Sequence, residues 1–166
     1  MACNTIEEIL NDCSNPIGGI KRIYLNDQDN VVSETVNLTA WTVTVSASTS
    51  YETIEFRKNL GTYTEDYSKE DDGAIIFNQT ITIPLHGRDA TKSRKINILA
   101  EGQRYLSMVV EMNSGAFVYF DNVQLTSLAD GSGAAKTEAS KYTITFVAES
   151  THLAYFMSSS DVASII

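Results

Sequence analysis

A chain of 166 residues with a formal net charge of −9 fits one domain with one core, large enough to fold without disulfide or metal staples. Its 43% hydrophobic and 20% charged content, with two prolines and nine glycines, excludes a wholly disordered or fibrous chain. The carboxylate excess also argues against a grip on nucleic-acid phosphates, which Lys and Arg would have to neutralise.

The N-terminal segment Thr5-Ile-Glu-Glu-Ile-Leu-Asn-Asp predicts a short helix, with Ile6, Ile9 and Leu10 at helical spacing behind a Thr5 cap and Glu8 three residues on. Residues 1–20 are expected to form an arm, and residues 21–166 a single β-rich domain. Lys21 to Leu25 reads as a strand that ends in the polar turn 26–30. Trp41, Val43 and Val45 alternate with Thr42, Thr44 and Ser46, as in a half-buried strand. Tyr51 to Leu60 and Ala74 to Leu85 alternate in the same way, the second more clearly through Ile75, Phe77, Ile81, Ile83 and Leu85. These two strands are expected to pair as a long hairpin around an acidic loop, Gly61 to Gly73.

Asp89 to Gly102 is the strongest helix signal, with Asp89 as N-cap and Gly102 as the C-terminal stop. Tyr105 to Met112, the turn Asn113-Ser-Gly115 and Ala116 to Asp121 predict a second hairpin that is apolar on both faces, with Val123 to Leu125 as a short extension. After a flexible loop at 129–136, Tyr142 to Glu149 is a strand and Leu153 to Met157 an edge strand. The fold class is therefore mainly β: a sandwich or partly open barrel with long hairpins and one flanking α-helix.

Little here points to chemistry. Cys3 and Cys13 are the only cysteines and lack both the second pair of a zinc site and the spacing of a redox motif, so a reduced cytosolic origin is expected. His86 and His152 have no triad partners at informative spacing, and both read as surface or turn residues. Asp27, Asp29 and Asn30 lack the glycine and terminal Glu of a calcium loop. Gly131-x-Gly133 lacks the Lys-Ser/Thr of a phosphate cradle. No catalytic residue, cofactor or metal is expected. The segment of interest is the acidic loop, whose Gly61, Tyr63, Glu65, Asp66, Tyr67, Glu70, Asp71 and Asp72 are candidates for contact between subunits. With no basic stretch and apolar run at the start, and no apolar stretch of membrane-spanning length, neither secretion nor membrane insertion is expected.

The order of these elements, with segments such as Ile81-Thr-Ile-Pro-Leu85 and Tyr142-Thr-Ile-Thr-Phe146, resembles bacteriophage tail tube proteins, the major tail proteins of phage virions. The resemblance spans most of the chain and implies subunits that form hexameric rings, which stack into a hollow tube through which DNA leaves the virion. It implies copies of this chain and other virion tail proteins as partners, DNA passing without specific binding, synthesis in the host bacterial cytoplasm and residence in the tail. An acidic channel wall fits that role, because it repels DNA and lets it slide. Other readings remain open: a tail terminator, connector ring or decoration protein, or a carbohydrate-binding β-sandwich that uses Trp41 and exposed tyrosines as platforms. A hydrolase built on the acidic loop is the least favoured.

Overall fold

The computed structural model describes Ile9 and residues 17–57, 60–69, 73–132 and 140–166. The predicted helix at 5–12, apart from Ile9, lies outside the described residues, as do Cys3, Cys13, Glu70, Asp71, Asp72 and Gly133. In chain order the described elements are β1 (Ile20–Asp27), a 3-10 turn (Gln28–Asn30), β2 (Val31–Asn37), β3 (Thr42–Ala47), β4 (Glu52–Glu55), β5 (Thr62–Lys69) and β6 (Ile75–His86). They continue with α1 (Ala90–Glu101), β7 (Leu106–Met112), β8 (Phe117–Gly131), β9 (Lys141–Ser150), β10 (Tyr155–Met157) and α2 (Ser159–Ile165). The fold is mainly β, with a curled half-barrel sheet and, among the described residues, two helices.

Period-two alternation places one residue set inside a barrel. Along β6 and β9 the inward residues face each other in layers: Leu85 opposite Tyr142, Ile83 opposite Ile144, Ile81 opposite Phe146 and Gln79 opposite Ala148. The wall runs β1-β7-β8-β9-β6-β5 and returns to β1 through one bridge, where the Ile20 amide donates to the Gly61 carbonyl at 3.3 Å. Gly61 suits this closure because a Cβ there would come within 2.6 Å of the Phe56 ring. Helix α1 closes one end with Ile96 and Leu99, and the Tyr142 hydroxyl bonds the Ser93 hydroxyl at 2.6 Å. Asp89 caps the helix as its sequence predicts, accepting the Lys92 amide at 2.8 Å. Gly102 stands at the C-cap, where its sequence predicts the stop, but in the right-handed conformation, and Gln103 takes the left-handed one with φ 40°.

Several pairings differ from the alternation read along the chain. Strand β4 pairs with β1, whereas β6 takes β5 as its hairpin partner, so much of the predicted acidic loop is strand. The polar composition of β5 hides this, since its inward face carries Tyr63, Glu65 and the exposed Tyr67 and no aliphatic residue. Strand β8 continues through 15 residues, the first part pairing with β7 and β10 and the second with β9. Strand β10 is interior, parallel to β3 on one side and antiparallel to β8 on the other.

Two apolar clusters replace the single expected core. Leu106, Met108 and Val110 of β7 face the barrel, whereas Val109 faces a second cluster with Tyr24, Val43, Val45, Tyr119, Tyr155 and Met157. Helix α2 covers that second cluster with Val162 and Ile165. Its N-cap is Ser158, which accepts the Asp161 amide at 3.1 Å.

Glu111, on the β7 face turned toward the second cluster, is only 7% exposed. It accepts from Lys21, from the Arg22 guanidinium at 2.9 Å and from the Tyr24 hydroxyl at 2.9 Å. Burial pushes its carboxyl up, but the hydrogen bonds from Lys21 and Tyr24 and the charges of Arg22 and Lys21 outweigh this and hold it below the ordinary value. A depressed folded-state value means that its stabilisation is present above the unfolded carboxyl value and is lost as pH falls through the folded one. Glu111→Gln is expected to flatten this acid limb in a thermal-midpoint profile against pH. Glu111→Ala should cost about 2 kcal/mol in urea unfolding, below the ~3–5 for a fully buried pair because Lys21 and Arg22 keep water contact.

Candidate functional site

The barrel end opposite α1 is polar. Gln79 occupies the inward layer where another Ile would continue the β6 pattern, and it is 1% exposed. Its side-chain Nε2 donates to Glu65 Oε1 at 2.8 Å and to the His152 carbonyl at 3.5 Å. Glu65 Oε1 also accepts the Ala154 amide at 2.7 Å. Glu65, predicted to be a contact residue in a solvated loop, thus points inward and anchors the turn that leads into β10. The other half of the Gln79 amide, Oε1, is buried and accepts no hydrogen bond among the described residues. A buried carbonyl left in this state costs roughly 1–3 kcal/mol.

Beside this layer lies a cavity of about 110 Å³, lined by Glu34, Asp121, Gln79, His152, Tyr119 and Tyr155 among others. One wall is fixed by a relay of hydroxyls through the second cluster. The Tyr51 and Ser107 hydroxyls are 2.6 Å apart, Ser107 donates to Tyr119 at 3.0 Å, and Tyr119 donates to Glu34 Oε1 at 2.6 Å. Burial, reinforced by the hydrogen bond to Glu34, pushes the Tyr119 phenol far above its ordinary value, so it acts as a donor and never as a phenolate. Gln28 Nε2 adds a 3.2 Å bond to Glu34. Strand β2, almost wholly exposed, is held to the body by these contacts in addition to its ladder with β3.

The opposite wall is aromatic. The Trp41 and Tyr155 rings are 4.9 Å apart, and His152 and Tyr155 are 4.5 Å apart. Trp41 takes the left-handed conformation with φ 53°, which a bulky residue adopts only when its surroundings hold it. Its Nε1–H donates to the Ala154 carbonyl at 3.2 Å, and its own carbonyl accepts the Phe156 amide at 3.1 Å.

The remaining predicted residues scatter. Gly61 closes the barrel, and Tyr63 packs inside it against Phe120 with ring centroids 5.6 Å apart. Asp66 is exposed opposite Asn78, and Tyr67 is exposed with its ring against Phe77. His86 lies at the other end of β6 from Gln79; burial and the charges of Arg57 and Lys141 push its imidazole below the ordinary value. Sequence reasoning missed Gln79, Glu34 and Tyr119. The only available signal was a Gln on the apolar face of the clearest strand.

No protein-family model matches the chain, and no curated protein matches it. Among the described residues no helix is long and apolar enough to cross a membrane, and no three His, Cys, Asp or Glu side chains converge as metal ligands.

Removing the relay should loosen β2. Tyr119→Phe is expected to cost roughly 1–2 kcal/mol, the loss of a buried bond to a carboxylate, and to raise hydrogen exchange in Val31–Asn37 more than in β6 or β9. Uniform exchange across all strands would show that the relay serves global stability alone.

Proposed function

We propose that this chain is a virion structural protein, a tail tube subunit that assembles with its own copies into stacked hexameric rings around a hollow conduit for DNA. The observation that carries this reading is the outer edge of β2, which pairs with no strand among the described residues. An edge strand exposes unpaired amides and carbonyls and invites another strand unless it is short, charged or covered. Strand β4, which ends the same sheet on the other side, is blunted: it has four residues and carries Glu52 and Glu55. Strand β2 has seven residues, and its one charge, Glu34, is bonded to Tyr119. Val32 and the neighbouring Leu38 are each 69% exposed.

Such an edge is suited to a second copy of the chain. Pairing β2 with an unlike edge is heterologous, and heterologous contacts generate rings or open polymers where like-with-like pairing would stop at a dimer. The anchoring of Glu34 by Tyr119 presents the strand already ordered, which lowers the entropy lost on association. The net charge of −9 suits a wall that DNA passes without adhering. In this reading other virion tail proteins meet the ends of the tube, and the role is structural, without catalysis.

Negative-stain electron microscopy and light scattering across a concentration series test the proposal. Hollow tubes or stacked rings are expected for the native chain. The double variant Val32→Lys, Leu38→Lys should remain dispersed with unchanged circular dichroism. A native chain that stays monomeric at every concentration overturns the proposal, and a single closed ring shifts it to a terminator or connector role.

A further inference from the structure

The barrel is electrically polar along β6. At the α1 end, Lys141 stands opposite His86 in the sheet register, and the charges of Arg57 and Lys141 both bear on that imidazole. Arg88 and Lys92 lie at the same end and are engaged, Arg88 with Asp130 at 2.7 Å and Lys92 with Asp89 at 3.4 Å. Arg57, Lys141 and the helix residues Arg94 and Lys95 are exposed and have no ion-pair partner among the described residues. The stability of α1 does not account for its cations: none stands in the last turn, where the helix dipole favours them, and Lys92 stands in the first, where it does not. Ile98, one turn beyond Arg94, is exposed beside them.

The other end of β6 has the opposite sign. Asp66 and Glu149 flank Asn78 in one row across β5, β6 and β9. Both are exposed and without an ion-pair partner among the described residues. Exposed Tyr67 and Ile75 lie further along the same hairpin. Lys69 is the one cation of β5, and the residues that follow it in sequence are Glu70, Asp71 and Asp72. Eleven rises of about 3.3 Å put roughly 36 Å between Ile75 and His86, so the two ends of one copy cannot meet. Between copies they are complementary: each end offers one charge sign beside an exposed apolar side chain, and contact between unlike surfaces repeats without having to close. We propose that the basic α1 end seats the acidic β5–β6 end of a second copy, so that copies add head to tail along β6. The inference rests on the self-assembly in the tail tube reading and deepens it by assigning the contact between successive rings.

Two exposed double reversals test it: Arg94→Glu with Lys95→Glu, and Asp66→Lys with Glu149→Lys, each with circular dichroism as the check on folding. Light scattering and negative-stain microscopy of the native chain are expected to show association that weakens about tenfold in ~1 M salt, where the screening length falls to about 3 Å. Each reversal alone should fail to stack, and the neutral pair Arg94→Gln, Lys95→Gln should give a smaller loss. An equimolar mixture of the two reversals should associate again, because the acidic end of the first and the basic end of the second are both intact. Stacking by either reversal alone at the native concentration, or a mixture that stays unstacked, overturns the proposal. Tubes that survive both reversals remove this contact and leave the tail tube reading in place. Head-to-tail chains that obey the reversals but enclose no lumen uphold the contact and remove that reading, so the two fail separately. A native chain that stays monomeric at every concentration overturns both.

Discussion

Burial of β7 on both faces is the constraint from which the architecture follows. A strand that is apolar above and below needs a layer on each side, and a single curled sheet can supply both only by bending in opposite senses around it. Toward Leu106, Met108 and Val110 the wall continues through β8, β9, β6 and β5 and returns to β1 at Gly61. Toward Val109, strands β10, β3 and β2 with helix α2 close over the second cluster. The long strand β8 serves both, and the left-handed Asn122, with φ 52°, lies near the point where its partners change from β7 and β10 to β9.

Two polar insertions in these apolar layers behave differently. Glu111 is saturated, with two cations and a phenol around one carboxylate, and its burial is offset by partners that keep part of their hydration. Gln79 is half-satisfied: its amide nitrogen secures Glu65 and the approach to β10, while its oxygen is left over. An Ile would fill the layer at lower polar cost but would leave Glu65 and the His152 carbonyl without that donor. The Gln thus exchanges one unsatisfied atom for the placement of β10, which in turn separates β3 from β8 and opens the space beneath β2.

Legibility in the sequence tracks how far apolar pattern alone decides placement. The β6 and β9 layers, the double-faced β7–β8 hairpin and the Asp89 cap of α1 were readable because alternation, two-sided burial and capping are local signals. Strand β5 was misread as a loop because two of its inward positions are Tyr63 and Glu65, and a carboxylate facing inward is recognisable only once Gln79 and the Ala154 amide are known to meet it. Strand β2 has one face on water and the other on a Glu whose partner is Tyr119, 85 positions away. The three-residue β10 owes its central position to neighbours on both sides, which no local pattern encodes.

The contrast between the edges bears most on function. Strand β4 is short and carries Glu52 and Glu55, so this chain protects one sheet end from stray pairing. Leaving β2 longer, uncharged outward and flanked by exposed Val32 and Leu38 is then a selective omission on the same molecule. The relay from Tyr51 through Ser107 and Tyr119 to Glu34 rigidifies that very strand, which a merely tolerated edge would not need. An edge both exposed and ordered has the properties of a template for strand addition.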